Sequence, residues 1–270
     1  MISLDWVERI KKDTIDFYDR KLPKKDYDID IVYNAYPMRI DNKIPHAVIT
    51  LVAKTLASKM AKTADQYLDF YDYILDNKGE NGKIIFANIM AKAVKKKPNF
   101  FLTYLEKILI NLHDQRECNL IIDKAIFPLA KKDPDKYLDL LVKWVKTDNS
   151  ELIQSIQKIL IKLIHLQPIL AKAIYQKLET SWLYATPNMV KLNARLIKEV
   201  YKYDRKLYFE IFLSYKNTRN PVFADILCKS ICCYDKKIEE ITENWTHSGN
   251  IKLKKIGISA NKMVKKFRKK

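Results

Sequence analysis

The sequence predicts an all-α protein, an α-solenoid of stacked helical hairpins, and three observations carry that expectation. Four Gly and nine Pro in 270 residues, beside abundant Leu, Ile, Lys, Ala and Glu, suit helices joined by short turns and leave few of the residues that β-turns need. One short pattern recurs, a helix ending in Lys, then Pro or Asp, then an aromatic residue or Leu opening a second helix. Its copies KTADQYL, KKPNFFL, KKDPDKYL, LQPILAKA, KYDRKLY and YDKKIEE are spaced by the length of a two-helix unit.

Residues 2–20, which open MISLDWVERIKK, read as an amphipathic helix without an apolar signal core, and the chain has no uninterrupted apolar run of 18 residues. A cytoplasmic protein without membrane contact is expected. Residues 21–43, with Pro23, Pro37 and alternating Asp, fall outside the repeat and are expected to be a connector with little regular structure, so that 1–43 precedes an array spanning 44–270. Taking Ala64, Pro98, Pro134, Pro168, Asp204 and Asp235 as equivalent markers gives intervals of 34, 36, 34, 36 and 31 residues.

A repeat must keep its core positions apolar, and this one does. Four residues before the marker stand Met60, Val94, Ala130, Ile164, Val200 and Ile231; eight before stand Leu56, Met90, Ile126, Leu160, Leu196 and Leu227. A notional seventh marker at Arg268 places Val264 and Ala260 in the same columns. Three residues after the marker come Tyr67, Phe101, Tyr137, Leu207 and Ile238, with Ala171 the exception, and Trp144 and Trp245 both fall ten after theirs. Pro is placed where its missing donor costs nothing, in the first turn of the second helix. Thr186-Pro187 and Asn220-Pro221 read as further helix starts, for helices 187–202 and 221–234, and the tail VKKFRKK is expected to fray.

The formal charge is +18, from 50 Lys plus Arg against 32 Asp plus Glu, and a chain so basic repels itself unless salt or a polyanion screens it. The cations are mostly Lys, which favours contact with a phosphate backbone over reading of base edges. Abundant Lys, Ile, Asn and Tyr also suit a genome rich in A and T. On the helix before each marker, the position six before reads Ser58, Lys92, Pro128, Lys162, Lys198, Lys229 and Lys262; the position two before reads Lys62, Lys96, Lys132, Leu166, Lys202, Cys233 and Lys266. Each column holds five Lys in seven, where this chain's Lys content predicts about one. At about 100° per residue the position six before the marker lies opposite the apolar pair, so the ladder faces away from the core. Lys near a helix C-terminus also complements the helix dipole, which is the plainer reading of the same columns.

Cys118, Cys228, Cys232 and Cys233 lie within apolar helical patterns with no CxxC pair or His at ligand spacing, so they read as small core residues, with no metal site and no cofactor. His46, His113, His165 and His247 are scattered singly, and no Gly-rich phosphate loop, GxSxG or HExxH is present.

The repeated unit resembles a HEAT repeat over roughly residues 44–270, which implies a right-handed superhelix of about six hairpins whose second-layer helices line a concave, partner-binding face. Within that superfamily the segments LVKWVKTDNSEL (141–152) and ITENWTHSGNIKLKK (241–255) are similar to the DNA alkylation-repair glycosylases with HEAT-like repeats. That resemblance implies DNA held on a concave surface and a Trp-lined cleft with a nearby Asp and Arg. The chain departs from the family's pattern, having no helix in the basic layer with a Trp followed one turn later by Asp. The stand-ins are Asp225, on the outward stripe with Lys229 but more simply its intrahelical partner, Trp182 and Tyr184 in the turn before helix 187–202, able to stack on a base although such aromatics more often cap a hairpin, and Arg195, able to contact phosphate.

The function expected is therefore binding of a DNA or RNA backbone by a monomeric, non-enzymatic array, through Lys92, Lys96, Lys132, Lys162, Lys198, Lys202, Lys229, Lys262, Lys266 and Arg195, with Trp182 and Tyr184 beside them. A repair glycosylase using Asp225 and a scaffold for a protein partner are the alternatives. The scaffold predicts an apolar or mixed groove, and the other two a continuous basic face.

Overall fold

Many helix starts in this protein are written by short polar side chains that catch the free backbone N–H groups of a first turn. In the computed structural model, which describes residues 5–147 and 149–268, the Asp5 carboxylate accepts from the N–H of Val7 and Glu8 and opens α1, Trp6–Arg20. The helix expected from residue 2 is present from Trp6 onward, and residues 2–4 of that expectation lie outside the described part. The segment after it is more ordered than a plain connector: it carries a 3-10 turn Leu22–Lys24 and the short helix α2, Asp30–Tyr33, anchored by buried Leu22, Ile29, Val32 and Tyr33. Elsewhere the described residues form helices joined by turns and short irregular segments and contain no sheet, only an isolated bridge between Ile40 and Lys43.

Contacts divide the chain into two compact units, Met1–Lys132 and Asp133–Lys270. In the first, α1 packs on α3 (His46–Met60) and α3 on α5 (Gly79–Lys96), while α4 (Leu68–Asn77) and α6 (Pro98–Ile110) pack against α5. The helix α5 also meets α7 (Gln115–Ile121), which continues through a π-helical turn, Ile122–Ile126, into α8 (Phe127–Lys132). Pro128 has no N–H to give the carbonyl of Lys124, and the chain widens just ahead of it, where the Phe127 N–H bonds the Ile122 carbonyl five residues back.

In the second unit, α9 (Pro134–Val145) and α11 (Leu170–Glu179) pack against α10 (Ser150–Leu166), and α10 packs on α12 (Pro187–Tyr203). The order continues with α13 (Arg205–Ser214) on α12, α12 on α14 (Pro221–Ser230), and α14 on α16 (Ile251–Arg268), with α15 (Lys236–Thr246) on α16. Side chains of Asp133, Asn149, Thr186, Asp204, Asn220 and Asp235 cap α9, α10, α12, α13, α14 and α15. Pro134, Pro187 and Pro221 open their helices as the sequence predicts, whereas Pro168 lies in the turn two residues ahead of α11.

Every residue of the two core columns is buried, from Met60 and Leu56 to Val264 and Ala260. The Ala171 exception is also buried, and beside it lies a small void of about 10 Å³ among Ile164, Ile174 and Val200. Two expectations change. The helix expected over 221–234 ends at Ser230, because Ile231 turns extended with ψ of 124° to keep its own side chain in the core. The tail expected to fray is helical through Arg268, held by buried Val264.

Candidate nucleic-acid interface

On α12 the residues Lys191, Arg195, Lys198 and Lys202 are spaced by four, three and four, which puts all four on one stripe of the helix. That stripe forms a wall of an open cleft of about 660 Å³ beside α14, whose Lys229 completes the lining cations at five. Ala194, Glu199, Tyr201 and Cys232 supply the rest of the lining. Four residues of the predicted set, Arg195, Lys198, Lys202 and Lys229, thus come together at one place. Lys191 stands outside the two columns set by the marker; its signal is the four-three-four spacing along α12 itself.

The cleft's lining carboxylate is committed. Glu199 is almost buried and accepts from Lys202 at 2.9 Å and from His165 of α10 at 3.1 Å. Burial alone would raise its carboxyl, but the bonds from Lys202 and His165 outweigh that and hold it below the usual carboxylate range. Lys202 is therefore partly neutralised, while the stripe as a whole keeps a large excess of positive charge.

Asp225 and Lys229 form an ion pair one turn apart on α14, the intrahelical arrangement their spacing predicts. Lys162, Lys262 and Lys266 are exposed on α10 and α16, the neighbours of α12 and α14, but do not line the cleft. In the first unit Lys96 and Lys132 are exposed, and half-buried Lys92 of α5 donates to the hydroxyl of Ser58 on α3, two residues of the same sequence column.

Trp182 is corrected. It is 0% exposed, its indole N–H donates to Asn193 at 3.0 Å, and its ring stacks on Tyr215 at 5.2 Å, so it belongs to the core and cannot meet a base. Tyr184, two residues on, is 82% exposed. Trp144 and Trp245 are also buried, with indole N–H groups that find no hydrogen-bond partner, so no Trp lines the cleft. Cys232 and Cys233, expected inside the core, lie beyond the end of α14 and are half-exposed.

Among the described residues no group of three or more His, Cys, Asp or Glu is placed to hold a metal ion, and no helix is long and apolar enough to cross a membrane. Comparison with protein-family models, curated proteins and solved structures gives no significant match.

Proposed function

We propose that this chain is an α-solenoid of about six HEAT-like hairpins that binds the phosphate backbone of nucleic acid through its Lys columns, with the α12 cleft as the strongest point of attachment. The repeat reading is supported by the buried core columns and by the packing of successive marker-preceding helices, α3 on α5 and α10 on α12 on α14 on α16. The binding reading is carried by one observation, the four-cation stripe of α12 facing Lys229 in an open cleft. Such an arrangement attracts phosphates and offers a base edge little beyond Arg195. A glycosylase needs an aromatic or carboxylate pocket for a flipped base. Here the tryptophans at the relevant turns are buried, Asp225 is paired and Glu199 is bound by two partners, so binding without excision is the reading favoured.

The test is a titration of labelled duplex DNA and single-stranded RNA at two salt concentrations, with Arg195→Gln, Lys198→Gln and Lys229→Gln combined. The triple variant should bind unrelated sequences more weakly to the same degree, and incubation with alkylated DNA should release no free base. Unchanged affinity in the triple variant, or base release that Asp225→Asn abolishes, would overturn the reading.

A further inference from the structure

At its C-terminal end the basic stripe of α12 runs into exposed aromatic surface that contact with phosphates alone does not use. Lys202 and His165 both reach Oε2 of Glu199, at 2.9 and 3.1 Å, so an ammonium of the cleft wall and an imidazole of α10 are held side by side on one acceptor. The imidazole lies against the phenol ring of Tyr203, the last residue of α12, with ring centroids 5.5 Å apart and planes tilted by 44°. Both rings are open to solvent, Tyr203 at 42% and the His165 side chain at 46%. Apolar surface continues beyond them. Leu166, next to His165, is half exposed, and Ile169 in the turn that follows is 87% exposed. In the column two before the marker, Leu166 stands between Lys132 and Lys202, so the basic column gives way to an apolar step beside the two rings.

We propose that the α12 cleft takes single-stranded nucleic acid, with phosphates on Lys198 and Lys202 and an unpaired base stacked on the rings of Tyr203 and His165. The proposal rests on the backbone-binding reading and names its substrate class. Five cations lining the cleft select a polyanion, and an apolar side chain of a protein partner would make no use of them. A duplex turns its phosphates outward and keeps the faces of its bases stacked inside, so it can satisfy the lysines but not the rings. A single strand carries each base one sugar away from a phosphate and can offer both at once. Every base has a π-face, so the stack adds affinity with little sequence preference. Lys202 beside the rings sets the order of contacts, phosphate on the ammonium and base beyond it.

The experiment uses the whole chain and three labelled probes of equal length at one salt concentration: an oligothymidine strand, the same strand with every base replaced by an abasic site, and a duplex. The thymidine strand should bind about tenfold more tightly than the abasic one, the scale of a single stacked base. Tyr203→Leu keeps an apolar side chain but removes the ring; it should bring the thymidine strand down to the abasic affinity and leave the abasic strand and the duplex as they were. Tyr203→Phe should retain the preference, because stacking needs the ring and not the hydroxyl. His165 stays unaltered, since it also holds Glu199. Tyr184→Leu removes an exposed ring at the other end of α12, about 25 Å of helix away, and should change nothing. A strand carrying 5-iodouracil, irradiated on the unaltered chain, should crosslink to the peptide of Tyr203 or of His165, which decides the matter even if a variant fails to fold. Equal affinity for the thymidine and abasic strands, a crosslink confined to other peptides, or an equal loss in Tyr184→Leu overturns the single-strand proposal and leaves backbone binding standing. Failure of all three probes to bind overturns both.

Discussion

Glu199 shows how one residue can be set by neighbours distant in sequence. Its carboxylate is taken from water and answered by Lys202 on its own helix and by His165 from the helix before. The folded carboxyl lies below its ordinary value of 4.5, so the stabilisation it brings is fully present above that value and is lost as pH falls through the lower, folded one. Glu199→Gln should cost about 1.5–3 kcal/mol near neutrality, the scale of hydrogen bonds to a charged group. The loss should shrink from neutral pH to an acid pH below that lowered folded value, where the native carboxyl also takes a proton. Urea unfolding at the two pH values measures this, and a cost independent of pH would mean that packing, and not charge, is what Glu199 supplies. The sequence shows the i, i+3 spacing to Lys202, but the pairing with His165 is 34 residues away and exists only because α10 packs on α12. Trp182 carries the same lesson: nothing beside it in sequence says that Asn193, eleven residues on, will receive its N–H and draw the ring inside.

At the scale of elements, legibility follows from whether the signal is local. The core columns are visible because a helix repeats its buried face at regular spacing, and the Asp, Asn, Thr and Pro starts are visible because caps act within three residues. The end of α14 is not visible. Ile231, Cys232 and Cys233 keep the apolar spacing of a helix without Gly or Pro, yet the chain leaves the helix while Ile231 holds its core position. Gly257 of α16 marks a close approach that the sequence also conceals. A Cβ built there would lie 2.7 Å from the Thr246 nitrogen and the Trp245 carbonyl carbon, backbone atoms of α15 and its last turn. Gly257→Ala gains about 1 kcal/mol of helix propensity. It must also push two helices apart, an overpacking cost of about 1–3 kcal/mol, so a net loss of stability is expected. Gly249→Ala, in the loop between the same helices with open space around it, should change little. Thermal unfolding of the two variants compares them directly, and equal midpoints would show that α15 and α16 have room to part.

Over the whole molecule the charge is the dominant physical fact, and its columns are divided between the two compact units, Lys92, Lys96 and Lys132 in the first and Lys198, Lys202 and Lys229 in the second. Composition alone shows the excess of cations but not where they act. The columns narrow that, and the α12 stripe with Lys229 narrows it further. If the backbone of a nucleic acid is engaged by both sets, each neutralised phosphate releases its counterion, and affinity for duplex DNA falls by about 0.9 log unit per contact for each log unit of salt. Changing either set of three to Gln should then flatten the slope by up to three contacts' worth, and the six-fold variant should flatten it by the sum if the two sets act independently. Gln is nearly as good a helix former as Lys, so folding should be little altered. Lys107, Lys136 and Lys143, on α6 and α9 outside the marker-preceding helices, serve as the control set and should leave the slope nearly unchanged. Binding isotherms at four salt concentrations distinguish the outcomes. A slope altered only by the second set would confine the nucleic acid to the α12 cleft, and a slope altered equally by all three sets would mean that the columns are no more than the surface of a Lys-rich chain.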